Sequence, residues 1–377
     1  MAQIVVLGAG LVGAAIAVDL HSRHTVTACD RDADKLARLR DHDALVTRPL
    51  DVTDHNALAA AIGHADLVIS AVPGFLGFET LRAVIEQGKP VVDIAFCPEN
   101  TLELNRLAKE KGVTAVVDAG VAPGLSHLIL GYYSAKFDVD DFECLVGGLP
   151  KVRTWPSQYK APFSPVDVIE EYLRPARLKE NGQVVTKPAL TDRQLVHFDQ
   201  IGTLEAFNTD GLRTLLTTMP QIPNMKEKTL RYPGHLDFIL ALKKSGFFDQ
   251  QPLDIGGHHI PPLTLTSSVL FHDWRLDDED PEFTVMRVTL AGETASATQM
   301  ITYHLYDEYD PNTRTSSMAR TTGYTCSAMA ELILSQRLTE KGVFPPELVG
   351  RDGHCFRFVM DYLAERNVRF RKETSEG

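Results

Sequence analysis

Ile4-Val5-Val6-Leu7-Gly8-Ala9-Gly10-Leu11-Val12-Gly13, followed by Thr25-Val26-Thr27-Ala28-Cys29-Asp30, is the stretch whose reading decides the fold. Four apolar strand formers run straight into Gly-x-Gly-x-x-Gly, and the last glycine lies inside a small-residue helical pattern, Leu11–Ser22. Gly8 lets the chain turn tightly, Gly10 lets the backbone approach a diphosphate, and Gly13 lets the helix pack close to the sheet. Free N–H groups at Leu11 and Val12, with the positive end of the helix dipole, then face the phosphates. Such a motif is generic alone, and its context gives it weight. The second strand ends on Asp30, 17 positions beyond Gly13 (30 − 13). A carboxylate there accepts hydrogen bonds from the adenosine ribose and repels a 2′-phosphate, which predicts NAD over NADP. Arg31 is the neighbour that softens this preference.

Working outward, β-rich runs alternate with helical ones: Ile4–Leu7, Thr25–Cys29, Leu45–Arg48, Leu67–Ala71, Val91–Ile94 and Thr114–Val117 as strands. Between them Leu11–Ser22, Asp32–Arg40, Thr53–Ile62, Phe78–Gln87 and Glu99–Lys111 read as helices, with Thr53 as an N-cap and Gly112 as a C-terminal stop. This alternation predicts an α/β fold, a doubly wound parallel Rossmann sheet over residues 1–122. Ligands in such sheets lie across the carboxyl ends of the strands. Ala71, Val72, Pro73, Ala95, Phe96 and Gly120 are therefore expected along the cofactor. Asp51 either flanks the adenine or caps the next helix. Asp93 and Asp118 read as loop-holding groups rather than catalytic ones.

Past Gly124 the texture changes to alternating patterns, Phe142–Val146, Phe283–Leu290 and Ala297–Tyr306, joined by long links. This predicts a second α+β domain over 123–320 with an antiparallel-rich sheet. Helical stretches at Thr325–Gln336 and His354–Arg366 predict that 321–377 return to the first domain.

Composition bounds the function. A formal charge of -12 and no basic stripe argue against a nucleic-acid partner. No apolar run reaches the roughly 18 residues a bilayer-spanning helix needs, and Met1-Ala2-Gln3 leads into a strand rather than a signal peptide, so no membrane is expected. Five cysteines without a C-x-x-C pair suit a reducing, cytoplasmic compartment. His258-His259 has no carboxylate at a ligand spacing, so no metal is expected. No nucleophile motif of the G-x-S-x-G type is present.

Further stretches carry a family likeness. They are Asp118-Ala119-Gly120 through Ala122-Pro123-Gly124-Leu125-Ser126, Val146-Gly147-Gly148-Leu149-Pro150, Phe163-Ser164-Pro165 with Ile169-Glu170-Glu171-Tyr172, and Arg174-Pro175-Ala176-Arg177. Next in order come Glu205-Ala206-Phe207, Thr209-Asp210-Gly211-Leu212, Thr229-Leu230-Arg231-Tyr232-Pro233-Gly234-His235, Thr322-Gly323-Tyr324 and Gly342-Val343-Phe344-Pro345-Pro346-Glu347. With these the chain resembles the saccharopine dehydrogenase-like family, most closely its lysine 6-dehydrogenases. The resemblance implies NAD-dependent oxidative deamination at the 6-amino group of L-lysine, giving ammonia and a semialdehyde that cyclises to a piperideine carboxylate. It also implies a small-molecule amino-acid substrate held by the second domain, and a homodimer. Saccharopine reductases often carry Asp-Pro-Gly where this chain has Ala122-Pro123-Gly124, which weakens the saccharopine reading.

That chemistry sets demands. The ε-ammonium must lose a proton before hydride can leave, through a base or a desolvating slot. The α-carboxylate wants an arginine, for which Arg231 and Arg213 are candidates. Asp210 is an ammonium ligand or a helix N-cap. Tyr159 and Lys160 are candidates for an acid/base pair, and His235 titrates in a useful range. Each has a structural alternative: a surface ion pair for Arg231, a solvated loop cation for Lys160, a packed imidazole for His235. The Glu170-Glu171 pair with Arg174 and Arg177 reads mainly as a salt-bridged helix face. Two rivals are a reductase of the saccharopine or carboxynorspermidine type, which needs an extra convergent Arg or Lys, and a non-catalytic NAD sensor, which needs no polar pocket by the nicotinamide.

Overall fold

The computed structural model describes residues 1–40, 45–277, 280–293 and 297–376. Its first sheet contains β1 (Gln3–Leu7), β2 (Thr25–Asp30), β3 (Val46–Pro49), β4 (Leu67–Ser70), β5 (Val91–Asp93) and β6 (Thr114–Val116). They form the order β6-β5-β4-β1-β2-β3, all parallel, with Gly342–Phe344 added beyond β6. This is the doubly wound Rossmann sheet expected. Its strand order reverses between β1 and β4, where a crevice opens at the carboxyl ends. Ile4, Val5, Val6 and Leu7 are all buried, because helices cover both faces of a parallel sheet.

Local signals shift some boundaries. Asp54, not Thr53, caps the helix His55–Ile62, accepting from the N–H groups of Asn56 and Ala57 at 3.0 Å each. Thr53 instead donates both its backbone N–H and its hydroxyl to the Asp51 carboxylate, which holds that turn. The stretch expected as one helix from Glu99 splits into a 3-10 turn, Thr101–Leu104, and the helix Asn105–Lys111, which ends at Gly112 in the left-handed region.

Among the described residues the second sheet has nine strands around Asp138–Pro150. That strand pairs antiparallel with Glu282–Glu293 and parallel with Asn224–Arg231, so a mostly antiparallel sheet contains one parallel pair. The helix Ser317–Leu334 starts eight residues before the expected Thr325. Its first turns hold Thr and Gly, poor helix formers, and tertiary burial overrides propensity there. It packs on α1 (Leu11–His21), with Gly323 against Ile16 and the Val12 carbonyl. Arg366 and Tyr362, from helix Gly353–Glu365 and its end, bond Asp19 of α1 at 2.6 and 2.7 Å. The final strand, Phe370–Glu376, leaves the first sheet and pairs with Thr298–Glu308 in the second. Residues 321–376 thus contribute to both sheets. One apolar core runs from the α1 face of the first sheet through these helices to the second sheet.

Candidate active site

A cleft of about 500 Å³ lies at the carboxyl ends of the first sheet, roofed by the second. One end is built for a dinucleotide. Gly8 turns at φ +101°, and a Cβ there would stand 2.3 Å from the Ala71 carbonyl oxygen. Gly13 brings α1 so close to the turn that a Cβ would sit 2.0 Å from the Gly8 oxygen. The missing side chain of Gly10, by contrast, opens on nothing within 4 Å, the room a diphosphate requires. Gly10 is the N-cap and supplies no side-chain cap, so the first-turn N–H groups of α1 are available to an anion. Asp30 accepts from the N–H groups of Ala9 and Asp32 at 2.8 and 2.9 Å, fixing its carboxylate at the cleft beside Lys35. These residues fit a nicotinamide dinucleotide.

Of the residues expected along the cofactor, Gly8, Gly10, Leu11, Val12, Gly13, Asp30, Ala71, Val72, Pro73, Phe96 and Gly120 line the cleft. Arg31, Asp51 and Ala95 do not. Asp51 is spent on its own turn with Thr53, and Ala95 is buried against Gly77, whose Cβ would come within 2.6 Å of it.

The other half of the cleft is lined by the second domain. Strand Asn224–Arg231 alternates, and Glu227, Thr229 and Arg231 all face the cleft. Arg231 is buried and committed: it donates to Glu171 at 2.7 Å, the Tyr172 hydroxyl at 3.1 Å and the Leu230 carbonyl at 2.9 Å, and stacks 4.4 Å from the Tyr159 ring centre. Asp210 also faces the cleft, but both its oxygens are taken by Arg177 at 2.8 and 2.9 Å. Arg213 does not line it. That guanidinium is buried beneath Phe96, pairs with Asp118 at 2.8 Å and donates to the Cys97 carbonyl at 2.6 Å, tying the second domain to the first sheet. The carboxylate role expected of Arg213 is thereby displaced by a structural one.

The three acid/base candidates sit outside the cleft lining. Lys160 donates to the Asp273 carbonyl at 3.0 Å. Tyr159 is buried behind Arg231 and edge-on to Trp274, and burial pushes its hydroxyl well up. His235 starts the helix His235–Lys244, also fully buried. Its Nδ1 donates to the Ser157 carbonyl at 2.7 Å, because that partner can only accept. Nε2 then accepts from Tyr172, whose oxygen in turn accepts from Arg231. Burial first, and the Arg231 charge second, press His235 down to about 3 from its ordinary 6.5. The unfolded chain therefore binds a proton between those values that the folded chain refuses, so folding stability is lost as pH falls through that window. His235→Asn is expected to flatten the urea-midpoint profile there. An unchanged slope would show that other groups set the acid limb.

Sequence reasoning missed Arg174 and Glu227. Arg174 reaches the cleft, stacks 4.8 Å from the Phe96 ring centre, and keeps a buried Nη1 with no hydrogen-bond partner among the described residues. In sequence it reads as part of a salt-bridged helix face. Its Nη2 pairs with Glu170 only at 3.7 Å, an ion pair beyond hydrogen-bonding reach. Glu227 is buried, and burial pushes its carboxyl up to about 7 despite the opposing charge of His127. The period-two placement of Glu227 with Arg231 was the one available signal. Nearby, Asp167 accepts from the Gly74 N–H at 3.3 Å, capping a first-domain helix from the second domain. Among the described residues no cluster of three or more His, Cys, Asp or Glu side chains is placed to hold a metal ion, and no helix is long and apolar enough to cross a membrane.

Comparison with known proteins agrees with this layout. Residues 4–116 match the saccharopine dehydrogenase NADP binding domain, and residues 120–368 the saccharopine dehydrogenase C-terminal domain. The saccharopine dehydrogenase (NADP(+), L-glutamate-forming) of Pyricularia oryzae is 30% identical over 217 residues, covering 54% of this chain and 48% of its own length. Alpha-aminoadipic semialdehyde synthase of Arabidopsis thaliana is 27% identical over 247 residues, 59% of this chain and 23% of its own length. The chain thus spans about half the length, or less, of the relatives it matches. The apo saccharopine dehydrogenase (L-Glu forming) of Saccharomyces cerevisiae shares the fold over 100% of both chains, with a TM-score of 0.80 at 20% identity.

Proposed function

The chain belongs to the saccharopine dehydrogenase family, and from that premise we propose that it oxidises the amine-bearing carbon of an amino acid with NAD, L-lysine at its 6-amino group being the substrate the cleft fits best. The observation that carries this reading is the charge lining the cleft. Among the described residues, seven carboxylates (Asp30, Asp118, Asp167, Glu170, Glu171, Asp210, Glu227) face four cations (Lys35, Arg174, Arg231, Arg275). Lys35 lies by Asp30 at the ribose end, Arg231 is held by Glu171, and Arg275 pairs with Asp277 in the open. Arg174, paired with Glu170 only at 3.7 Å, keeps its Nη1 for a substrate carboxylate. One such cation suits a substrate with a single carboxylate and two ammonium groups.

Saccharopine carries three carboxylates and calls for more convergent cations than this cleft offers, although it gives the saccharopine dehydrogenases among the relatives their name. A polar, charged chamber beside the nicotinamide end counts equally against a purely sensing protein. The family description names NADP; Asp30, an anion where a 2′-phosphate would lie, favours NAD in this chain. Dimerisation through the second domain and a reducing, cytoplasmic compartment complete the proposal, the five cysteines all being buried free thiols.

Purified protein should form reduced dinucleotide with lysine, faster with NAD than with NADP. The same assay should give little or no rate with saccharopine, ornithine or simple diamines. Turnover of saccharopine without lysine would replace this reading by the reductase one.

A further inference from the structure

We propose that Glu227 is the base that takes the proton from the reacting ammonium of the substrate. The inference rests on the amine-oxidising reading above. Three geometric observations carry it. Glu227 faces the cleft from the strand that also presents Thr229 and Arg231. Its side chain is 3% exposed, and its Oε2 has no hydrogen-bond partner among the described residues. Gly211 makes room for it, since a Cβ there would stand 1.6 Å from Oε1. A buried carboxylate oxygen left without a donor is costly, and a ligand that brings an N–H donor relieves it.

The surrounding charges single Glu227 out. The groups that act on it are His127 of helix Leu125–Ser134, Glu171 of helix Pro165–Leu173, Asp210 after the strand Gly202–Asn208, and Asp118 after β6. Each already has its own counter-ion: Glu347 at 3.6 Å from His127, Arg231 on Glu171, Arg177 on Asp210, Arg213 on Asp118. Glu227 alone of this group has none. An incoming ammonium is the charge it lacks, and an incoming carboxylate arm would be repelled.

The proton transfer follows from desolvation. Burial raises a carboxyl pKa and lowers an ammonium pKa, so the gap that separates them in water narrows inside the cleft. One N–H bond of the ammonium breaks, its proton bonds to Oε2 of Glu227, and the electron pair stays on nitrogen. That pair forms the C=N bond as hydride leaves the adjacent carbon for the oxidised dinucleotide. The carbon loses two electrons and the co-substrate gains them. A base that titrates at about 7 is matched to this task near neutral pH.

The test is Glu227→Gln in the full chain. The rate with a primary-amine substrate should fall by roughly 100-fold or more, the pH-dependent rise of kcat/KM near neutrality should disappear, and Glu227→Asp should restore that limb in part. Calorimetric binding of lysine should strengthen about 10-fold in the wild type as pH rises through neutrality, but not in Glu227→Gln. Fluorescence titration with reduced dinucleotide should match the wild type, which separates this effect from misfolding. A variant that keeps the limb and most of the rate overturns the role of Glu227 while leaving the amine-oxidising reading intact. A wild type that oxidises no amine with either dinucleotide removes both.

Discussion

Arg231→Met is expected to lower the unfolding free energy by about 3 kcal/mol, the low end of what breaking a buried ion pair costs. The guanidinium is 2% exposed, and its loss strands the Glu171 carboxylate at 2.7 Å and removes the donor that orders Tyr172. Glu171 borders the cleft, so some solvent reaches it and the cost stays near that lower bound. Burial already raises the Glu171 pKa against the opposing pull of Arg231, and without Arg231 it rises further. A raised carboxyl pKa means that the folded chain holds the proton more tightly than the unfolded one. The deficit of the variant should therefore shrink as pH falls. Adding Glu171→Gln removes the stranded charge, and the double variant should recover part of the loss. Urea unfolding of the three variants tests this, and a double variant less stable than Arg231→Met would show that the pair is not the main term.

The second large effect concerns the cofactor. Asp30→Ala should raise KM for NAD by about 10- to 100-fold, the loss of one or two hydrogen bonds to a charged acceptor. NADP should suffer less, because the same substitution removes the repulsion between the Asp30 carboxylate and a 2′-phosphate. The Ala9 N–H also loses its acceptor at 2.8 Å, which loosens the loop for both cofactors. The ratio of the two losses, rather than either alone, is the readout. Equal losses would mean that Asp30 holds the loop and reads no ribose.

The two halves of the molecule were legible to different depths. The Rossmann strands follow from short runs such as Ile4–Leu7 and Leu67–Ser70, in which every residue is buried and neighbouring glycines mark the turns. Boundary errors there were small and chemical, as with Asp54 capping in place of Thr53. In the second domain the roles of individual side chains could not be read. The partner of Arg231 lies 60 positions away, and that of Arg213 lies 95 away. Tyr159 and Lys160 are adjacent in sequence, yet one is sealed behind Arg231 and the other bonds a distant carbonyl. His235 has a useful ordinary pKa that burial removes.

Sequence by itself determined the dinucleotide end: the glycine turn, the first helix and Asp30 depend on backbone geometry within about 30 residues, where local chemistry decides the outcome. Only the tertiary structure decided which charges line the rest of the cleft uncompensated. Ion pairing across distant segments consumes Arg231, Arg213 and Asp210 and leaves Nη1 of Arg174 and Oε2 of Glu227 without a hydrogen-bond partner among the described residues. An ionisable side chain takes its function from what surrounds it, and those surroundings exist only once the two sheets have closed on each other.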